Sequence, residues 1–197
     1  MKYLCFIVAS FLLIGCSSSR QVSRVSTDTD IDLSGKWNDT DSRLVAQQMV
    51  SSLTTKPWLE DFVSRNSKKP TVIVGTVRNL SSEHIQTDAF IDDIERELVN
   101  SGKVTFVAGK KERQEVREER LNQQSNATEE TAKKLAAETG ADYMLQGSIK
   151  DIVDRVEGKE VKFYQVDMVL IDLQSNEKVW MDTKKIKKVI ERSSTSW

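Results

Sequence analysis

Tyr164-Gln165-Val166-Asp167-Met168-Val169-Leu170 sets an apolar side chain at every second position, the two-residue period of a strand with one face against a core. Upstream, Tyr143, Leu145, Gly147 and Ile149 share one face of a similar run; downstream, Val179 and Met181 begin a third. Short polar joins lie near Glu157-Gly158-Lys159 and near Gln174-Ser175-Asn176, so the C-terminal third reads as an antiparallel meander. Thr71-Val72-Ile73-Val74-Gly75-Thr76-Val77, entered through Pro70, is instead an almost unbroken β-branched run, the pattern of a strand covered on both faces. Val104 to Val107 adds a short strand. Between these two, Thr87 and Asp88 open a helix with Phe90, Ile91, Ile94 and Leu98 inward, closed by Gly102.

Further upstream, Asp39, Thr40 or Asp41 is placed to cap a helix whose inward positions are Val45, Ala46, Met49, Val50 and Leu53. A second helical piece follows Pro57 and uses Trp58, Leu59, Phe62 and Val63. Lys110 to Arg120 reads as a largely solvated helix, and Thr128 opens another that buries Ala132, Leu135 and Ala136 and stops at Gly140. The expected fold class is α/β: a mixed sheet with an antiparallel C-terminal meander, and helices packed on the sheet.

The N-terminal end has a different grammar. Lys2, the apolar run Tyr3 to Ile14, and Gly15-Cys16 have the three parts of a secretory signal peptide, too short to span as an ordinary membrane helix. Leu13-Ile14-Gly15-Cys16 resembles the lipobox of bacterial lipoproteins, which implies cleavage before Cys16, acylation of its thiol and amine, and stable membrane anchoring by several chains. Ser17 rather than aspartate after the cysteine implies sorting to the outer membrane, facing the periplasm. Residues 17 to 34 are Ser, Thr, Asp, Arg and Gln with scattered Val and Ile, a composition that cannot offset the entropy of ordering. The expected division is residues 1–15 as signal peptide, 16–34 as lipidated tether and 35–197 as one globular domain. The full reach of the tether is roughly 60 Å.

The chemical inventory is thin. Twenty-nine basic residues against thirty acidic ones do not describe a general nucleic-acid binder. Cys5 and Cys16 are the two cysteines, so the mature domain has no thiol nucleophile, disulfide or thiolate metal site. His84 is the single histidine; it lies near Ser81 and Ser82, but without a nucleophile elbow. Ser101-Gly102-Lys103 and Gly109-Lys110 lack the rest of a phosphate loop. Asp28, Asp30 and Asp32 have calcium-loop spacing, but Leu33 stands where that loop turns on glycine. The expectation is a binding or structural module, not an enzyme, with no cofactor, metal or small-molecule substrate.

Four segments carry a family resemblance: Asp32-Leu33-Ser34-Gly35-Lys36-Trp37-Asn38-Asp39-Thr40-Asp41; Val72-Ile73-Val74-Gly75 leading to Arg78-Asn79; Ser81-Ser82-Glu83-His84-Ile85; and Gly140-Ala141-Asp142-Tyr143-Met144-Leu145-Gln146-Gly147. They resemble the LpoB family of penicillin-binding-protein activators across nearly the whole mature chain. The resemblance implies a lipoprotein that docks on a class A penicillin-binding protein and stimulates it allosterically, without contributing a catalytic residue. The long proline-rich spacer of the best-known activators is replaced here by a short tether. The fold is also similar to the TolB N-terminal domain and to the curli-secretion channel lipoprotein CsgG, so the alternative is an envelope secretion or structural lipoprotein. Candidate contacts are Trp37, which is either an exposed anchor or a core plug, and the loop residues Arg78, Asn79, Glu83 and His84, which either reach a partner or shape the turn.

Overall fold

A computed structural model describes residues 21–27, 29–107, 114 and 140–191. Apart from Gln114 and Gly140, the helices expected at 110–120 and 128–140 lie outside the described residues, as do the signal peptide and Cys16. In chain order the elements are α1 (Asp39–Leu53), α2 (Pro57–Asn66), β1 (Thr71–Asn79), α3 (Thr87–Ser101), β2 (Thr105–Phe106), β3 (Tyr143–Val156), β4 (Lys159–Asp172) and β5 (Lys178–Glu191).

The five strands form one sheet in the order β2-β1-β3-β4-β5. β1 runs parallel to β2 and β3, while β3, β4 and β5 pair antiparallel. The expected α/β class with a mixed sheet and a C-terminal meander is the fold observed. β4 keeps its alternation from end to end: Tyr164, Val166, Met168 and Leu170 are at most 2% exposed, and they face α1 and α3 together with Leu145, Ile149, Phe90, Ile94 and Leu98. Each such side chain contributes on the order of 1.5–3 kcal/mol through burial, which ties helix spacing and strand alternation to one core. Gly102 ends α3 at φ +63, a conformation that glycine adopts without strain.

β5 departs from the sequence reading. Its inward residue is Trp180, buried at 5%, whereas Met181 is 71% exposed. The register shifts between Leu170 and Ile171: Leu170 pairs with Trp180 and Ile171 with Lys178, leaving Val179 as an extra residue. Such a bulge reverses the parity on which alternation arguments rest. The cap of α1 also differs. Asn38, not Asp39, Thr40 or Asp41, is the N-cap: its side-chain oxygen accepts from the Asp41 N–H at 3.1 Å, and the Asp41 carboxylate accepts from the Asn38 N–H at 3.0 Å. This reciprocal capping box satisfies two otherwise orphan donors. In α2, Trp58, Leu59 and Phe62 are buried, but Val63 faces outward.

Candidate functional site

The candidate residues gather where the chain enters the domain. The segment before α1 crosses the helix-covered face of β4 and β5 as a strap. Gly35 is buried with φ +65, and a Cβ there would lie 2.3 Å from Ile190 Cδ1. Only a residue without a side chain passes this point without displacing Ile190. The Tyr164 hydroxyl donates to the Gly35 carbonyl at 3.3 Å, and Trp37 stands edge-on to Tyr164 and Phe90, with centroids 5.7 and 6.0 Å apart. Trp37 is thus partly buried against the core.

Two lysines on the inward parity of their strands fasten this strap. Lys188, 9% exposed, reaches Asp41 at 2.6 Å, Asp32 at 2.8 Å and the Lys36 carbonyl at 3.0 Å. Lys162, 5% exposed, reaches Glu83 at 2.6 Å. Buried ammonium groups are tolerated when their donors are used and a carboxylate lies close, and both conditions hold here. Asp30 meets Arg43 at 2.9 Å, so contacts with the domain begin a few residues before Gly35, and both Asp30 and Asp32 are engaged by cations.

Glu83 joins strap, loop and sheet. One carboxylate oxygen accepts from Lys162 and the other from the Trp37 N–H at 3.1 Å. Burial raises the Glu83 pKa, but the hydrogen bonds from Lys162 and the Trp37 N–H, with the charge of Lys162, outweigh it and hold the carboxyl below its ordinary value. Burial, followed by the neighbouring Glu83 carboxylate, pushes the Tyr164 hydroxyl far above its ordinary value, so it stays a neutral donor.

The loop after β1 is folded back on itself. The Asn79 amide donates to the Glu83 carbonyl at 2.7 Å, and its oxygen accepts from the Ser81 N–H and hydroxyl at 3.0 and 2.6 Å. Ser82 donates its N–H and hydroxyl to Asp151, at 2.8 and 2.5 Å. Both serine hydroxyls are therefore committed to other partners than His84. Ile85 is buried beneath the loop, while Arg78, Leu80 and His84 are exposed. The structure thus gathers Trp37, Asn79 and Glu83 into an internal bracket and leaves Arg78 and His84 at the surface. Lys162, Lys188 and Asp151 completed this arrangement unforeseen. Lys162 carried a signal, since it shares a parity with Tyr164, Val166, Met168 and Leu170; Lys188 carried none, because Asp182 and Lys184 share its parity.

The geometry is that of a braced surface loop at the C-terminal end of β1. A family model, that of the peptidoglycan-synthase activator LpoB, matches residues 41–186, a stretch that begins at the buried partner of Lys188 and ends in β5. The chain belongs to this family. No curated protein sequence matches significantly. Among solved structures, the chain is similar to the LpoB C-terminal domain from Salmonella enterica, at 19% identity and a TM-score of 0.38, over 70% of this chain and 97% of that one. It is similar to Escherichia coli LpoB determined by NMR, at 18% identity and 0.41, over 90% and 87% of the two chains. The lipoprotein GNA1162 from Neisseria meningitidis matches at 15% identity and 0.41, over 64% of this chain and 88% of that one. The family assignment rests on the family model.

Proposed function

We propose that this chain is an outer-membrane lipoprotein, anchored through acylated Cys16, whose domain binds a class A penicillin-binding protein in the periplasm and activates it allosterically. The observation that carries the reading is the match to the peptidoglycan-synthase activator family along residues 41–186. The domain acts as a protein ligand: it binds the active form of the synthase more tightly than the inactive one and shifts the population by that difference. Arg78 and His84 supply contacts, and Trp37, Asn79 and Glu83 hold the loop in shape for them. The tether supplies local concentration and the domain supplies affinity. No residue of this chain takes part in the bond-making steps.

The test uses the full lipoprotein in detergent with each class A synthase of its own organism, following glycan polymerisation from lipid II. The expected result is a faster rate with the lipoprotein present and no consumption of lipid II by the lipoprotein alone. If every synthase polymerises at an unchanged rate and none binds at micromolar concentration, the reading is wrong.

A further inference from the structure

The face of the sheet turned away from α1, α2 and α3 is laid out in rows by the strand register. Arg78 on β1 adjoins Ser148 on β3, and the row continues through Asp167 on β4 to Thr183 on β5. The next row is Lys150, Gln165 and Lys185; the next is Ile152, Phe163 and Lys187; the next is Asp154, Val161 and Val189. Ile152 is 67% and Val189 55% exposed, so this half of the face is open. Arg78, Lys185 and Lys187 have no carboxylate partner among the described residues. From strand and residue spacings, the rows cover on the order of 350 Å², the size of an interface core.

We infer that this face is a docking surface for a folded protein partner that presents carboxylates around an apolar centre, with Ile152, Phe163 and Val189 as the apolar contacts and Arg78, Lys185 and Lys187 as the charges that orient it. The inference rests on the activator reading and assigns the synthase's complementary surface that chemistry. Lysines on β5 alone would be explained as protection of a free edge strand against pairing. That role does not need Lys150 on an interior strand or Arg78 on β1, three strands in from that edge in the same basic field. A second copy of this chain is a poor occupant, because the face would meet its own positive charge. An anionic lipid surface is also poor, because Asp167 lies inside the patch. Lys150, Gln165 and Thr183 hold its carboxylate at 2.9, 2.8 and 2.7 Å. Although burial raises its pKa, these bonds outweigh burial and keep it charged. A protein surface provides donors for the exposed Asp154 in the same rows as well as acceptors for the lysines.

Binding of the full lipoprotein to the class A synthase in detergent tests this, with Lys185→Glu/Lys187→Glu and Ile152→Asp compared with Lys56→Glu/Lys69→Glu, an equal charge change elsewhere. Both face variants should bind at least tenfold more weakly with unchanged urea midpoints, the control should bind within twofold of wild type, and the salt dependence should flatten only in the double face variant. The face assignment is overturned if the face variants bind like wild type, or if the control weakens equally. It is also overturned if the lysine pair matters only for cosedimentation of Cys16→Ser protein with phosphatidylglycerol vesicles, or only for self-association. Wild-type protein that binds no synthase refutes the activator reading itself, and the face assignment with it. Wild-type binding that is insensitive to the face variants refutes the face alone.

Discussion

Glu83→Gln is the most informative single change, because it removes a charge and almost no volume. The Lys162–Glu83 contact of 2.6 Å has a gross Coulomb attraction of about 6 kcal/mol at an effective dielectric constant near 20. Much of that offsets the desolvation of both groups, and the amide keeps one oxygen to accept from Lys162 or the Trp37 N–H while its NH2 faces the other donor. What remains is a buried ammonium whose nearest other carboxylate is Glu160, at 3.7 Å. Loss of one partner of a buried pair costs about 3–5 kcal/mol, and Glu83 lies near the surface, so a loss of about 3 kcal/mol is expected. With a urea dependence of about 2 kcal/mol per molar, the midpoint falls by about 1.5 M. A double-mutant cycle with Lys162→Met should return a coupling of about 2 kcal/mol. The pH dependence adds a signature. Because the folded carboxyl has a lowered pKa, its stabilisation is fully present above the ordinary carboxylate value and is lost as pH falls through the lowered one. The gap between wild type and variant should therefore close in acid. A midpoint shift under about 0.5 M, with coupling under about 0.5 kcal/mol, would refute the bracket.

Gly35→Ala should destabilise the domain by about 2 kcal/mol in urea denaturation, since it combines a left-handed backbone with a collision at Ile190; a loss under 0.5 kcal/mol would mean that the strap moves freely. Arg78→Glu changes an exposed side chain and should alter stability by no more than about 0.5 kcal/mol, yet weaken synthase binding severalfold; unchanged affinity would remove Arg78 from the contact. Cys16→Ser should abolish labelling by palmitate and release the protein from membranes, and a wild-type protein that takes up no label would refute the anchor.

The fold was legible wherever one periodicity ran without interruption. β4 keeps a single parity from Lys162 to Leu170, so its alternation placed the core correctly. β5 misled because the extra residue at Val179 sits between two pairs of an otherwise regular ladder, and composition does not mark where a strand takes an added residue. Asn38, Asp39, Thr40 and Asp41 are all residues that cap helices, and the choice among them is made by the reciprocal bond between Asn38 and Asp41, a matter of geometry. Of the site, the loop's position and Arg78's exposure were readable. The junction was not, because Glu83, Trp37 and Lys162 are far apart in sequence and meet only when the strap crosses the sheet.

The strap also constrains how far the domain can reach. Asp30–Arg43 is a largely exposed pair and contributes little, so the first firm hold on the chain is Asp32 on buried Lys188. Sixteen residues from Cys16 to Asp32 extend at most about 58 Å however they are arranged. The strap leads within three residues of Gly35 to Trp37, and the Trp37 N–H touches Glu83 in the candidate loop. Tether exit and loop therefore sit at the same end of the domain. Had the tether left from the opposite end, the length of a 14-residue strand, about 46 Å, would have added to its reach. If Cys16 carries the proposed anchor and the loop holds the proposed partner, that length adds nothing along the membrane normal, and the partner's surface has to come within about 60 Å of the anchoring leaflet. Under the proposed anchoring, a short tether thus places the burden of closing any wider gap on the partner, which has to project toward the lipoprotein.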